Sequence, residues 1–214
     1  MATYVLTSMF EKEFSSETVK MLKSQIKGRQ SIVCIASDFN SYKMTDYFWS
    51  IFYDMFCNAG LEFENSIVID SRMTPEMAKE YIKNADVVWI SGGDTPTEYK
   101  YIKEYGLDEV LEEYDGLVIG MSAGTLNLAQ TVICPICNGH EEQVIYDGLG
   151  LVDITVISHY DMNEVPQEII DLSMKHEIYL MEDGSHILCN ENGNCYYGNI
   201  ICVNKGEIRT VSNL

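Results

Sequence analysis

A serine between two glycines has the spacing of a catalytic nucleophile. Residues 120–124 read Gly-Met-Ser-Ala-Gly and follow an apolar run, so the G-x-S-x-G pattern stands where a strand ends and a helix begins. In that context the turn exposes the serine hydroxyl at the carboxyl end of a sheet, and the glycines avoid steric clashes. The pattern predicts Ser122 as the nucleophile of a hydrolase. The alternative is a glycine-rich turn around a buried serine.

A second glycine pair follows another apolar run. Gly92, Gly93 and Asp94 come directly after it, and glycines there let the backbone approach a ligand closely. We expect the N–H groups of Gly93 and Ala123 to form an oxyanion hole, and we expect Gly92 and Asp94 to contact the substrate. The alternative is a tight turn in which Asp94 or Thr95 caps the next helix.

A general base must lie at the same edge of the sheet as this serine. His159 directly follows a predicted strand, so it shares the carboxyl ends of the strands with Ser122, as the geometry of a catalytic triad requires. The other histidines are His140 in an apparent loop, His176 near a helix end and His186 in a hairpin strand. We therefore predict His159 as the base.

A carboxylate should orient the histidine in such a site. Between the serine and the histidine the chain has Glu141, Glu142, Asp147 and Asp153. The two glutamates belong to a polar loop that can fold over the site, and Asp147 stands in an apparent turn. We favour Glu142, with Glu141 next, against the alternative that either glutamate is a solvated loop charge.

These positions require a sheet whose strands end at one edge. Short apolar runs alternate with helical stretches, which predicts an α/β fold with a mostly parallel, doubly wound sheet. A C-terminal antiparallel meander is expected at the edge of the same sheet. The predicted strands are residues 4–7, 31–36, 66–69, 87–91, 117–120 and 154–158, the helices are 16–27, 43–59, 75–84 and 97–113, and the meander strands are 177–181, 185–189, 195–197 and 200–203. We expect residues 1–214 to form a single domain.

Composition narrows the class of protein. The chain has 214 residues, a net charge of −19 and seven scattered cysteines, which argues against a secreted disulfide framework and against nucleic acid or membrane surfaces as partners. We find no signal-peptide pattern and no apolar run of about 20 residues, so we expect a cytoplasmic protein. Cys134 and Cys137 form a C-x-x-C pair without a matching second pair, so we expect two loop thiols and neither metal nor cofactor. The protein could assemble as a homodimer.

These segments resemble the peptidase E family of serine peptidases, which includes aspartyl dipeptidases and cyanophycinases. The resemblance rests on the order Gly92-Gly93-Asp94, then residues 120–124, then His159-Tyr160, and it covers nearly the whole chain. It implies a sheet like that of class I glutamine amidotransferases, with serine replacing their cysteine. It also implies a Ser-His-acid arrangement, an oxyanion hole near the second glycine of the pair and the residue after the serine, and no metal.

The resemblance implies a peptidase that acts on dipeptides or short peptides, so the predicted substrate is a small peptide. A hydrolase of another amide or ester with the same fold, and a non-enzymatic ligand-binding protein, are the alternatives. Aspartyl dipeptidases are expected to bind the substrate's aspartate with an arginine that follows the catalytic histidine, but the arginines here are Arg29, Arg72 and Arg209. In the expected segment the basic residues are Lys175 and His176, and a lysine lacks the bidentate fork of arginine. We therefore predict no strong preference for an N-terminal aspartate.

Overall fold

Strands and helices alternate along most of the chain in a computed structural model that describes residues 2–10, 12–161 and 164–211. The strands are β1 (Thr3–Thr7), β2 (Ser31–Ile35), β3 (Asn65–Ile69), β4 (Val87–Ile90), β5 (Leu117–Met121), β6 (Thr131–Cys134), β7 (Val144–Asp147), β8 (Thr155–Ile157), β9 (Ile178–Met181), β10 (His186–Asn190), β11 (Gly193–Tyr197), β12 (Ile200–Asn204) and β13 (Glu207–Val211). The helices are α1 (Ser16–Gln25), α2 (Tyr42–Asn58), α3 (Pro75–Lys83), α4 (Thr95–Glu104), α5 (Leu107–Glu113), α6 (Ala123–Leu128) and α7 (Gln167–Ser173).

The central sheet has seven strands in the order β11-β10-β1-β5-β4-β2-β3. Strands β1, β5, β4, β2 and β3 are parallel, whereas β10 and β11 form an antiparallel edge. Helices α1 and α2 pack on one face and α3, α4 and α5 on the other, which explains why the parallel strands are almost continuously apolar. The prediction of an α/β fold with a mostly parallel sheet and C-terminal antiparallel strands is confirmed. The likeness to class I glutamine amidotransferases stays a prediction.

A second sheet contains four of the later strands, in the order β13-β12-β9-β8. Strand β8 pairs in parallel with β9, so the expected place of residues 154–158 in the central sheet is wrong. The expected meander is also divided, since β10 and β11 join the central sheet while β9 and β12 belong to the second sheet. The chain changes sheets at the turn after β9, where Gly184 has a φ of 88°, a conformation that favours glycine.

The helix predicted over residues 97–113 is two helices. Helix α4 ends at Glu104 and α5 begins at Leu107, and between them Gly106 has a φ of 60°. A left-handed residue ends an α-helix, and glycine adopts that conformation at little cost. Within the three described ranges, no helix is both long enough and apolar enough to span a bilayer.

Candidate active site

The G-x-S-x-G segment forms a sharp turn between β5 and α6. Ser122 has φ 52° and ψ −112°, a conformation that non-glycine residues rarely adopt. A Cβ on Gly124 would lie 2.4 Å from Ile90 O, and a Cβ on Gly120 would lie 2.8 Å from Thr125 N. Both glycines are therefore required because helix α6 packs directly against the backbone of the sheet.

Two threonines fasten this turn to the neighbouring strand β1. The Ser122 N–H donates to Thr7 O at 3.0 Å, and Thr125 Oγ1 accepts the Thr7 N–H at 2.9 Å. The Thr7 hydroxyl donates to Gly120 O at 2.8 Å. These hydrogen bonds hold the serine backbone in a strained conformation that costs on the order of 1–3 kcal/mol.

The structure brings His159 to the hydroxyl of the serine. His159 Nε2 lies 2.7 Å from Ser122 Oγ, which is within the range needed for proton transfer. His159 comes two positions after the end of β8 and has a φ of 59°, so both residues of this pair have a positive φ. The histidine side chain is 38% exposed, so a substrate can approach it from solvent.

The carboxylate beside the histidine belongs to Asp183. Its Oδ1 lies 2.8 Å from His159 Nδ1, because β8 and β9 are adjacent parallel strands and the two residues follow their carboxyl ends. The expectation that Glu142 occupies this position is thereby corrected. Glu141 and Glu142 are exposed in the loop before β7. The His159 Nδ1 atom, which one of them was expected to contact, is paired with Asp183 instead.

The sequence contains a signal for Asp183 in its position after a predicted strand. Asp183 comes two positions after the predicted strand 177–181, and His159 comes one position after the predicted strand 154–158. The acid expected from the sequence lies between Ser122 and His159. The order along this chain is instead serine, histidine, aspartate, and triads are recognised by geometry rather than by chain order.

Ser8 also positions the histidine and the aspartate, and the sequence analysis did not predict this role. It directly follows β1 and is fully buried. Its Oγ accepts the His159 backbone N–H at 2.8 Å and donates to Asp183 Oδ1 at 2.7 Å. One buried hydroxyl thus fixes both the backbone of the histidine and the orientation of the aspartate.

The Gly92-Gly93-Asp94 loop lies against the serine turn. A Cβ on Gly92 would lie 3.1 Å from Ser122 Cβ, and a Cβ on Gly93 would lie 2.3 Å from Ser37 Oγ, so neither site has room for a larger residue without movement. Asp94 Oδ1 accepts the backbone N–H of the third residue of α4 at 3.0 Å, so it caps that helix, as one alternative from the sequence held. Gly92, Gly93, Asp94 and Ser122 all line one cavity of about 470 Å³.

A buried polar cluster joins the helices that follow these two loops. Asn127 Nδ2 on α6 donates to Thr95 O at 3.0 Å and to Glu98 Oε2 at 2.9 Å on α4, and Tyr146 donates its hydroxyl proton to Asn127 Oδ1. Burial raises the pKa of Glu98 well above its usual range, which favours the uncharged carboxyl group. The cluster fixes the spacing between the glycine loop and the serine turn, and its polar residues gave no periodic signal in the sequence.

The basic residues considered for a substrate carboxylate lie elsewhere. Lys175 precedes β9 whereas Asp183 follows it, and four strand residues separate the ends by about 13 Å. Lys175 and His176 line a separate cavity together with Thr155 and Glu177. Lys175 is thus at the opposite end of the second sheet from the serine, so it does not replace the missing arginine.

The remaining histidine and cysteine candidates are not at the serine. His186 is buried and stacks on Tyr197, and burial lowers its pKa to about 4. Cys134 is buried at the end of β6, whereas Cys137 is exposed, so the expectation of two loop thiols is wrong for Cys134. Within residues 2–10, 12–161 and 164–211, no three His, Cys, Asp or Glu side chains are grouped so that they could hold a metal ion.

Comparisons with known proteins identify the family of this chain. The sequence profile of Peptidase family S51 matches residues 5–194. The crystal structure of a peptidase from an acI-B1 Actinobacterium superposes with a TM-score of 0.73 at 14% identity, covering 99% of this chain and 94% of that chain. A putative peptidase E protein from Listeria monocytogenes EGD-e superposes with a TM-score of 0.65 at 17% identity, covering 100% of both chains. No curated protein sequence matches the chain significantly. The chain belongs to peptidase family S51 and is a serine-type peptidase.

Proposed function

We propose that this peptidase hydrolyses dipeptides or short peptides with Ser122 as nucleophile, His159 as general base and Asp183 as the group that orients the histidine. The supporting observation is the chain of contacts from Ser122 Oγ to His159 Nε2 at 2.7 Å and from His159 Nδ1 to Asp183 Oδ1 at 2.8 Å. With the Nδ1 proton donated to the carboxylate, Nε2 is free to accept the proton of the serine.

The hydrolysis proceeds in two stages. Ser122 Oγ attacks the carbonyl carbon while its proton moves to His159 Nε2, so a C–O bond forms and the carbonyl oxygen becomes an oxyanion. His159 gives this proton to the amine nitrogen as the C–N bond breaks, which releases the amine and leaves an acyl-serine. A water molecule then loses a proton to His159 and attacks the acyl carbon. The carboxylic acid product leaves, and the proton returns to Ser122 Oγ.

Backbone donors next to the serine would stabilise the oxyanion. We assign this role to the N–H groups of Gly93 and Ala123, one from the glycine loop and one from the first residue of α6. The neighbouring Gly124 N–H is already bonded to Ser91 O at 3.0 Å, and this bond ties the two loops together. Preorganised donors of this kind contribute about 2.7–4 kcal/mol each in the best-studied serine peptidases.

Replacing Asp183 with asparagine should lower kcat about 10⁴-fold while leaving the fold intact. An amide can donate to Nδ1 and stabilise the wrong tautomer of His159, and it lacks the charge that stabilises the imidazolium. The measurement is kcat on a dipeptide such as Ala-Leu. Glu142→Gln and Glu141→Gln are the matched controls and should leave kcat nearly unchanged. An equal loss in Glu142→Gln, with Asp183→Asn active, would return the role to the loop glutamate.

Dipeptides with an N-terminal aspartate should not be strongly preferred. The cavity beside the serine is lined by Asp38 and Asp94, and no Lys or Arg is among its lining residues within the described part of the chain. A substrate carboxylate there would be buried without a compensating charge, and the desolvation of an unpaired charge costs free energy. We expect the kcat/KM for Asp-Leu to be at most about a hundredfold, or 2.7 kcal/mol, above those for Ala-Leu and Lys-Leu, and it can be below them.

Lys175→Met supplies the control for this prediction. Because Lys175 is at the far end of β9, the variant should leave the three kcat/KM values in their original ratio. A preference for Asp-Leu above a hundredfold would refute the prediction. Loss of that preference in Lys175→Met would show that the lysine reaches the substrate after all.

A further inference from the structure

The cavity beside Ser122 and the histidine are positioned mostly by different neighbours of β5. Ser122 follows β5, which has β4 and β2 on one side in the central sheet and β1 and β10 on the other. His159 and Asp183 are held from the β1 side through Ser8. Most of the cavity wall comes from the β4 and β2 side, namely the segments that follow these strands and helix α2.

This arrangement decides which part of a peptide the cavity receives. The leaving amine takes its proton from the histidine, so the amine half of the substrate must lie on the histidine side of the serine. The acyl half then extends in the opposite direction, past the glycine loop. The cavity is therefore next to the side chain of the residue whose carbonyl Ser122 attacks.

The far wall of this cavity is apolar. It is formed by Met44, Phe48, Trp49 and Phe52 from α2 and by Met121 from the end of β5. Met44 is 58% exposed and Phe48 is 46% exposed, so this surface contacts water in the free protein. A volume of about 470 Å³ is within the range of small-molecule sites.

The carboxylates that line the same cavity select between substrate side chains by their charge. Asp38 accepts a hydrogen bond from Ser41 Oγ at 2.7 Å and another from the Asn40 N–H at 2.9 Å. Asp94 is fixed as the cap of α4. Two positioned carboxylates repel an acidic side chain, whereas the apolar wall gains free energy when an apolar side chain displaces its water.

We propose that this cavity is a specificity pocket for a large apolar side chain, such as that of phenylalanine or leucine, on the residue whose carbonyl is attacked. The proposal rests on the proposed function, because it takes Ser122 as the attacking group and His159 as the proton donor to the amine. It assigns to the exposed apolar residues of α2 a role in selecting the substrate. Phe48 and Met44 form the part of the pocket that a bound side chain would cover.

The test compares the rates at which phosphonate probes label Ser122. Diphenyl aminoalkylphosphonates with the side chains of phenylalanine, leucine, alanine and lysine react with an activated serine without needing an amine leaving group. Labelling is followed by intact-protein mass spectrometry, and the modified residue is identified by peptide mapping. The phenylalanine and leucine probes should react at least about tenfold faster than the alanine probe. Equal rates, faster reaction of the lysine probe, or no labelling by any of them would overturn the pocket.

Variants on helix α2 test whether the differences in labelling rate arise from the pocket. Phe48→Ala should reduce the ratio of phenylalanine to alanine labelling rates at least about threefold, because one wall of the pocket is removed. Phe48 is 46% exposed, so its truncation leaves the core in place. Ile51→Ala is the matched control, since Ile51 is on the same helix and 38% exposed but outside the cavity wall, and it should keep the ratio. An unchanged ratio in Phe48→Ala, with circular dichroism like that of the parent, would contradict the assignment.

Dipeptide hydrolysis measured in parallel separates this proposal from the proposed function. Phe-Leu and Leu-Leu should be cleaved with higher kcat/KM than Ala-Leu. Cleavage of all three at equal rates would overturn the pocket and leave the Ser122 peptidase mechanism standing. Selective labelling without cleavage of any dipeptide or longer peptide would support the pocket and contradict the proposed function.

Discussion

Ser122→Ala should abolish peptide hydrolysis, lowering kcat by up to about 10⁶-fold. The change removes only the hydroxyl that lies 2.7 Å from His159 Nε2. Alanine has the same Cβ as serine, so the left-handed backbone at this turn is no more strained than before. The hydrogen bonds that fasten the turn to β1 use the backbone of Ser122 and the side chains of Thr7 and Thr125, and they remain.

The measurement is kcat on Ala-Leu for the parent and the variant, with circular dichroism and thermal unfolding to compare their folds. Ser91→Ala is the matched control. Ser91 lines the same cavity, but its Oγ is paired with the thiol of Cys34 at 3.2 Å and does not contact His159. We expect Ser91→Ala to keep most of its activity. Hydrolysis within tenfold of the parent by a folded Ser122→Ala chain would exclude Ser122 as the nucleophile.

The serine turn could be predicted because its physics is local. A Gly-x-Ser-x-Gly segment after an apolar run needs only the close packing of one helix on one strand, and that packing is what the contacts of Gly120 and Gly124 reveal. The cap formed by Asp94 is also local, since it involves a residue only three positions further on. Features that depend on residues a few positions apart can be recognised in a single sequence.

The partners of the histidine depend on pairings that a single sequence does not contain. Asp183 meets His159 because β9 pairs with β8 in a second sheet, whereas the sequence favoured one continuous sheet. Apolar runs predict that strands exist but do not say which strands pair, because every buried strand offers the same backbone donors and acceptors. Ser8 contacts residues more than 150 positions away, and no spacing rule connects such positions.

The loop that contains Glu141 and Glu142 has contacts of its own. It follows Cys134 and precedes β7. In the structure that loop is held by Glu168, whose carboxylate accepts the N–H groups of Ile136 and Cys137 at 2.9 and 2.8 Å. Its glutamates are exposed to solvent, and the turn between the two sheets supplies the carboxylate that contacts the histidine.

His159→Ala should be about as damaging as Ser122→Ala, with a loss in kcat of up to about 10⁶-fold. Without the imidazole, the base that accepts the serine proton and gives it to the leaving amine is lost. The double variant should be little worse than either single variant, because groups that act as one unit are strongly non-additive. A multiplicative loss in the double variant would mean that the two residues act independently.

The controls for the histidine must separate loss of chemistry from loss of fold. His159 has a φ of 59°, and asparagine tolerates this left-handed conformation better than most residues, so His159→Asn preserves the backbone and the N–H bonded to Ser8 while removing the base. Both His159 variants should therefore be folded and inactive. His140→Ala and His176→Ala should retain most of the activity, since the histidine that contacts Ser122 Oγ is His159. If His140→Ala were inactive and the His159 variants active, the base would come from the loop before β7, and the contact of His159 with Ser122 would have only a structural role.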